Sequence, residues 1–183
     1  MTAPGPSFCY TFPMALIDDI HAYRPVNEQE QADKLVILRA LGNDPNCFDR
    51  SAQAHMACSI WVVGPTLTQT LLVYHNIDCG PGGVYSIEVL TVDGHVKRGE
   101  YVSSHLHLNV TYLAVADPRE AVRMKPDENS GVRWAPIEDA VRLSTELWIR
   151  DRIYRKLIDK LQDPAVRAAA KDAARELDRR GAA

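Results

Sequence analysis

The sequence predicts one α/β domain with appended helices, and three kinds of segment support this fold class. An amphipathic run in the first third predicts a helix, and several runs of strand formers closed by glycine or proline predict strands. A long C-terminal run predicts a helix that packs on the sheet. A chain of 183 residues, 46% hydrophobic and 25% charged, has the length and composition of one globular core.

A capping signal marks the first predicted helix, which runs from Glu28 to Leu41. Asn27 followed three residues later by Glu30 is typical of a capping box, because the two side chains can bond free N–H groups of the first turn. Gly42 then ends the helix. Its apolar positions lie near one face and are predicted to be buried: Ala32, Leu35, Leu38 and Leu41.

Two runs of strand-forming residues follow and predict a β-hairpin. The first spans 56–63 and is closed by Gly64 and Pro65, and the second spans 71–74. The glycine-rich segment 76–83 is turn chemistry throughout, so we expect neither a helix nor a central strand there.

A third strand is predicted at 84–92, after which Asp93 and Gly94 form a tight turn into a long strand at 101–116. The long strand alternates strictly, so its side chains divide between two faces. We expect one buried face and one polar face. The polar set is His105, His107, Asn109 and Thr111, and the apolar set is Leu106, Leu108, Val110 and Tyr112.

The C-terminal third is predicted to be mostly helical. A short strand at 132–134 and a helical turn at 136–141 precede a helix at 144–161, for which Ser144 is the candidate cap. An alanine-rich helix restarts at Asp163 and Pro164. The apolar stripe of the 144–161 helix is Leu147, Tyr154, Leu157, Ile158 and Leu161, and that of the last helix is Val166, Ala170, Ala173 and Leu177.

Charge and cysteine usage exclude several classes of function. The formal net charge of −3 provides no basic field that would concentrate nucleic acid or an anionic membrane. No leader-like segment or membrane-length apolar run is present, so we expect a cytoplasmic protein with neither nucleic acid nor a membrane as partner. The four cysteines form no C-x-x-C pair, which favours reduced thiols: Cys9, Cys47, Cys58 and Cys79.

Two local patterns could carry chemistry. His105 and His107 place two imidazoles on one strand face, about 6 to 7 Å apart, a spacing compatible with a shared metal or phosphate contact. No third ligand is evident nearby, and a polar strand face lining a cleft or solvent is the alternative. The glycines at 80–83 could offer backbone N–H groups to an anion, but no G-K-[ST] follows, so a plain turn is favoured.

Three segments taken in order resemble the Nudix hydrolases. His55–Val63 followed by Leu71–His75 resembles the opening strands of that family, and His105–Leu113 resembles its substrate-side strand. Glu128–Trp134, with the turn and helix that follow, resembles its closing strand and helix. The resemblance covers residues 28–161 and implies a Nudix-like α/β/α sandwich with a mixed sheet.

The family's metal-binding signature is missing from its expected place near 80–85. That signature is G-x5-E-x7-R-E-U-x-E-E-x-G-U, where U is a bulky apolar residue, and its glutamates hold the Mg²⁺ or Mn²⁺ that the family uses. Such hard cations need several clustered oxygen ligands. The predicted helices here carry no Glu-Glu or Glu-x-x-Glu cluster, so we expect poor Mg²⁺ or Mn²⁺ binding and assign no metal ligand.

Site residues follow from the same resemblance, whose members hydrolyse nucleoside diphosphates linked to another group. Glu128 resembles the loop glutamate that acts as general base in some members. His105, His107 and Asn109 are expected to line the cleft for a nucleotide-like small molecule. A base without its metal should leave little rate, so we expect an impaired or inactive pyrophosphohydrolase-like protein. The alternatives are a noncatalytic nucleotide-binding or interaction module and a truncated gene product without a selected role.

The resemblance also implies a domain organisation. Residues 26–162 form the Nudix-like domain, reduced by the catalytic helix, between an N-terminal extension at 1–25 and the alanine-rich helical tail at 163–183. Loss of that helix would uncover part of the sheet as an apolar patch. The alanine-rich tail, a second chain in a homodimer, or nothing at all would then cover it.

Overall fold

The computed structural model describes residues 12–73, 83–97, 99–120 and 131–181. The chain divides into two units, each with its own internal contacts. The first unit comprises Met1–Ala57 with Ile87–Val110, and the second comprises Cys58–Ser86 with Thr111–Ala183. The fold is mixed α/β, as the sequence predicts.

Two sheets contain the strands of the described ranges. The strands are β1 (Ala54–Val63), β2 (Gln69–Val73), β3 (Val84–Val92), β4 (His95–Lys97), β5 (Glu100–Val102), β6 (His105–Val115) and β7 (Val132–Pro136). Five of them form one sheet in the order β3-β6-β1-β2-β7. The other two, β4 and β5, pair antiparallel and are here called the hairpin.

The five-stranded sheet is mixed because one neighbouring pair runs parallel. β1 pairs antiparallel with β2, with Val63 opposite Thr70, and β2 pairs antiparallel with β7. Between β6 and β1, the Leu106 N–H donates to the Gln53 carbonyl at 2.9 Å. The Ala116 N–H donates to the Val63 carbonyl at 3.0 Å. Both bonds join residues with the same sequence separation, so β1 and β6 run in the same direction.

The predicted long strand at 101–116 is interrupted. β6 begins only at His105, and the segment before it forms the hairpin, so the predicted turn at Asp93 and Gly94 leads into β4. Ser104 causes part of this break, because its hydroxyl accepts the Gly94 N–H at 3.0 Å. The expectation of one polar face was also wrong in the middle of β6, where Asn109 and Thr111 are as buried as their apolar neighbours.

Two helices belong to the first unit: α1 (Phe12–Ala22) and α2 (Glu28–Asn43). The predicted capping of α2 is confirmed, since the Asn27 side chain accepts the Glu30 N–H at 2.8 Å. The Glu30 carboxylate, which is fully buried, accepts the Tyr23 hydroxyl at 2.6 Å and the Val26 N–H at 2.9 Å. These two hydrogen bonds link the first turn of α2 to the residues that precede the helix.

The predicted apolar face of α2 is buried only in part, since Leu38 and Leu41 are half-buried. Leu35 is 56% exposed and Ala32 is exposed, whereas the buried side chains are those of Glu30, Asp33 and Ile37. The prediction counted only apolar positions, but hydrogen-bonded polar groups can be buried at little cost.

The second unit carries the C-terminal helices: α3 (Glu138–Leu143), a π-helical segment (Ile149–Tyr154), α4 (Arg155–Lys160) and α5 (Pro164–Gly181). The single helix predicted at 144–161 is thus partly π-helical. Its predicted cap was wrong, because Ser144 follows the end of α3 and the next helical residue is Leu147. A π-helical turn bonds i to i+5 and so rotates the preceding residues off the predicted stripe. Leu147 is accordingly 63% exposed, while Leu157 and Leu161 are buried as expected.

Helix α5 matches its prediction. The Asp163 carboxylate accepts the Ala165 N–H at 2.7 Å and begins the helix. Its stripe, predicted at Val166, Ala170, Ala173 and Leu177, is buried at Ala170 and half-buried elsewhere. None of the helices in the described ranges combines the length and apolar character that a membrane crossing needs.

Two further expectations concern exposed apolar side chains and thiols. The large apolar side chains found exposed in the described residues lie in helices, loops or the hairpin. The loss of a helix that covers the sheet stays a prediction, because the alanine-rich tail or a second chain was also expected as a cover. Cys47 is a free, buried thiol, as expected, and burial raises its pKa. Cys58 is disulfide-bonded, so the expectation of reduced thiols was wrong there, because separation along the chain does not report distance in space.

Candidate metal centre

Three imidazoles meet in the first unit, at the start of two neighbouring strands. His55 comes from β1, and His105 and His107 come from β6. One potential ligand atom of each lies within 4.8 Å of those of the other two. His55 is buried at 5% exposure, and the other two are half-buried. This set is here called the histidine trio.

Strand register brings the trio together. The bond from the Leu106 N–H to the Gln53 carbonyl sets the parallel register so that residue 54 lies opposite 106. His55 is therefore opposite His107, and the side chains of the two point to the same face. His105, two residues before His107, shares that face. Two imidazoles on one strand thus meet a third from the next strand.

The ring separations match those of imidazoles bound to one ion. The ring centroids lie 5.1 Å apart for His55 and His105, 4.8 Å for His55 and His107, and 5.0 Å for His105 and His107. With metal–nitrogen bonds of about 2.0–2.1 Å, centroids of two bound imidazoles fall about 4.6 Å apart at a right angle and about 5.2 Å apart at a tetrahedral angle. The three observed separations lie within this interval.

The contact between nitrogens agrees with the ring separations. Nε2 of His105 lies 3.1 Å from Nε2 of His107. Two nitrogens bound to one such ion would lie about 3.0–3.4 Å apart, by the same bond lengths. The same separation is that of a hydrogen bond between the two rings, so it fits such a bond in the metal-free chain and also a shared ion.

Backbone carbonyls orient two of the three rings from outside. Nδ1 of His55 is 3.3 Å from the Ala52 carbonyl, and Nδ1 of His105 is 2.9 Å from the Ser103 carbonyl. A ring that donates its Nδ1–H in this way keeps a lone pair on Nε2. This is the arrangement that metal-binding histidines commonly have.

The loop before β1 is tied down close to the trio. The Met56 N–H donates to the Cys47 carbonyl at 2.6 Å, and this bond joins the two ends of the loop. Within it, the N–H and hydroxyl of Ser51 donate to Asp49, each at 2.8 Å, and lower the pKa of that carboxyl, with a smaller lowering from His55. The loop therefore places one negative charge near the trio.

Asn109 continues the same face of β6 but already has a partner. Its amide donates to the Glu88 carboxylate at 3.0 Å, and both side chains are buried. Glu88 belongs to β3, the strand that neighbours β6 in the sheet order. The pair is a buried polar contact within the first unit, and the substrate-binding role expected for Asn109 stays a prediction.

The structure brings together some of the predicted site residues. His105 and His107 lie in the trio, and Glu128 lies outside the described residues, as do residues 76–82. Among the residues that the structure describes, the trio is the one place where three or more metal-ligating side chains converge. It contains no carboxylate. His55 was not predicted as a site residue from the sequence. Its position at the start of a strand was the one signal that could have indicated it.

A shallow depression elsewhere in the first unit does not coincide with the trio. Its volume is about 410 Å³, and it is lined by Pro25, Val26, Asn27, Glu28 and Gln31 at the start of α2. It contains none of the converging imidazoles. The depression and the trio are therefore separate features of this unit.

Neither protein-family models nor curated proteins give a match to this chain. The Nudix resemblance therefore stays a prediction carried by the residues quoted for it. The chemistry of the trio rests on its own geometry.

Proposed function

We propose that this chain binds one divalent transition-metal ion through His55, His105 and His107. The observation that carries the proposal is the near-equilateral triangle of rings, 4.8–5.1 Å on each side. Neutral imidazoles suit Zn²⁺, Cu²⁺, Ni²⁺ and Fe²⁺, whereas Mg²⁺ needs oxygen ligands. Zn²⁺ is the expected ion because it accepts three histidines without a demanding geometry.

The support for an ordered site, beyond the triangle, is the rigidity of its surroundings. All three ligands lie on strands of one sheet, and a site on strands is held more firmly than a site on loops. Two rings are also oriented by backbone carbonyls. The entropic cost of assembling the ligands is thereby reduced, which favours affinity.

Equilibrium dialysis of the metal-stripped full chain against Zn²⁺, Ni²⁺ and Mg²⁺ tests the proposal. We expect one Zn²⁺ per chain, Ni²⁺ at the same site, and no stoichiometric Mg²⁺. The variants His105→Gln and His107→Gln should lose the bound ion. His21→Gln is the matched control, because His21 is an exposed histidine of α1. The proposal is wrong if the wild type binds no Zn²⁺, or if His21→Gln loses as much as the trio variants.

A second proposal concerns the expected Nudix relationship. We propose that the same face of β6 binds a nucleotide-like diphosphate and that pyrophosphohydrolase activity is impaired, with Glu128 as its candidate base. What supports impairment is that the sequence lacks the family's glutamate signature near residues 80–85. A site without those carboxylate oxygens holds Mg²⁺ or Mn²⁺ poorly.

Phosphorus NMR of nucleotide-sugar, ADP-ribose and dinucleotide substrates with Mg²⁺ and Mn²⁺ tests this second proposal. We expect little or no turnover, together with calorimetric binding of a nucleotide at millimolar concentration. Turnover at rates of at least about 1 per second, at the low end for enzymes, would contradict impairment. A lack of any nucleotide binding would remove the binding role.

A further inference from the structure

A fourth histidine lies beside the trio on the hairpin. His95 begins β4 and pairs with Val102 of β5. Its ring centroid is 6.3 Å from that of His105, with 45° between the ring planes. The side chain is exposed, and both residues belong to the first unit. The hairpin therefore presents an imidazole next to one that already belongs to the trio.

The ring of His95 is oriented in the same way as the ring of His105. Nδ1 of His95 lies 3.0 Å from the Asp93 carbonyl, and Nδ1 of His105 lies 2.9 Å from the Ser103 carbonyl. In both cases the carbonyl belongs to the residue two positions earlier. A proton held on Nδ1 leaves the Nε2 lone pair of His95 available to an ion.

The hairpin is bonded to the residues that precede β6. The Gly94 N–H donates to the Ser104 hydroxyl at 3.0 Å, and the Gln53 amide donates to the Ser104 carbonyl at 2.7 Å. The Tyr101 hydroxyl lies directly against Gly94, so a larger side chain at this position would require the exposed Tyr101 ring to move. The residue before His95 is thus linked to the residue before His105, which keeps the two imidazoles near each other.

We infer that His95 supplies a fourth nitrogen ligand to the ion held by the trio, an inference that rests on the proposed metal binding. Two imidazoles on one tetrahedral ion have centroids about 5.2 Å apart, so the His95 ring must come about 1 Å closer to the His105 ring. It must also turn towards His55 and His107, with which it does not converge in the metal-free chain. Its exposed side chain can make that movement by rotation. A four-nitrogen site has no coordination position left for water, so it holds its ion without hydrolytic chemistry.

Azide titration of the Co²⁺-loaded full chain tests the fourth ligand, because Co²⁺ occupies zinc-type sites and gives a visible spectrum. We expect the wild-type spectrum to be that of a tetrahedral ion and to stay unchanged on adding azide. In His95→Gln, water should replace the imidazole, so azide should alter the spectrum, and Co²⁺ affinity should fall at least about 10-fold. His21→Gln should behave as the wild type does.

The possible outcomes separate the inference from the proposed function. If azide alters the wild-type and His95→Gln spectra equally, the trio binds the ion and the fourth ligand is wrong. An X-ray absorption spectrum of the wild type whose outer-shell ring scattering corresponds to three imidazoles instead of four would overturn the inference in the same way. If the wild type takes up no Co²⁺, both the proposed metal site and its fourth ligand are wrong.

Discussion

Two polar clusters of the first unit are built in opposite ways. In the first, both oxygens of the Glu30 carboxylate accept donors of the same chain, the Tyr23 hydroxyl and the Val26 N–H. In the histidine trio, the chain supplies carbonyls to the outer nitrogens of His55 and His105, and the remaining nitrogens face one another. A polar cluster satisfied by its own chain holds the fold together, whereas imidazole nitrogens at the spacing of the trio can share an ion, as we propose. The two clusters should therefore respond differently to substitution.

The largest expected difference concerns stabilisation by metal. Zn²⁺ at about 1,000 times its dissociation constant should raise the free energy of unfolding of the wild type by about 4 kcal/mol. His107→Ala removes one ligand and should lose most of this gain. Thermal unfolding with and without Zn²⁺, for both proteins, measures the difference. An equal shift in the wild type and His107→Ala would show that Zn²⁺ binds elsewhere.

Removing the Glu30 carboxylate should produce the reverse pattern. Glu30→Ala leaves the buried Tyr23 hydroxyl and the Val26 N–H without this acceptor, so the free energy of unfolding should fall by about 2–3 kcal/mol. The number of Zn²⁺ ions bound per folded chain should not change. Urea unfolding of the metal-free protein gives the first quantity, and dialysis gives the second. Loss of Zn²⁺ binding in folded Glu30→Ala would mean that the two clusters are not separate in function.

A smaller effect is expected at α5, which lies in the second unit and far from either cluster in sequence. Asp163→Ala removes the side chain that accepts the Ala165 N–H and should cost about 1 kcal/mol. Asp163→Asn is the matched control, because asparagine caps helices nearly as well as aspartate. Equal destabilisation by both substitutions would show that the charge matters more than the cap.

The smallest effect is a pH dependence at the loop beside the trio. The Ser51 donors lower the pKa of Asp49 in the folded chain, so its contribution to stability is present above the unfolded pKa of about 3.9 and is lost as the pH falls. Asp49→Asn should remove this part of the acid dependence. Urea unfolding of metal-free wild type and variant at pH 6 and pH 3.5 measures it. A larger acid sensitivity in Asp49→Asn would contradict the sign.

The individual elements were largely readable from the sequence, because strand alternation and helix caps are local signals. The Asn27 cap, β3 and the start of α5 agree with their predictions. The hairpin was missed because the side chains of its strands are mostly exposed, which leaves no alternation between buried and polar positions. The π-helical segment was missed because a stripe with a 3.6-residue period assumes an uninterrupted α-helix.

Two of the three histidines of the candidate site were readable as well. His105 and His107 lie two residues apart on a strand, so their shared face follows from alternation alone. The third member, His55, is 50 residues before His105, and only the parallel register of β1 and β6 brings it opposite His107. Such a register depends on the packing of the whole sheet and leaves no local mark in the sequence.

NMR of the histidine side-chain nitrogens during a Zn²⁺ titration tests the central claim most directly, because it reports each ring nitrogen separately. At one equivalent of Zn²⁺, the Nε2 signals of His55, His105 and His107 should move together to positions typical of a bound metal. Nδ1 of His55 and of His105 should keep its proton. If the signals of these three residues stay unchanged while Zn²⁺ binds, or if Zn²⁺ does not bind, the histidine trio is not a metal centre.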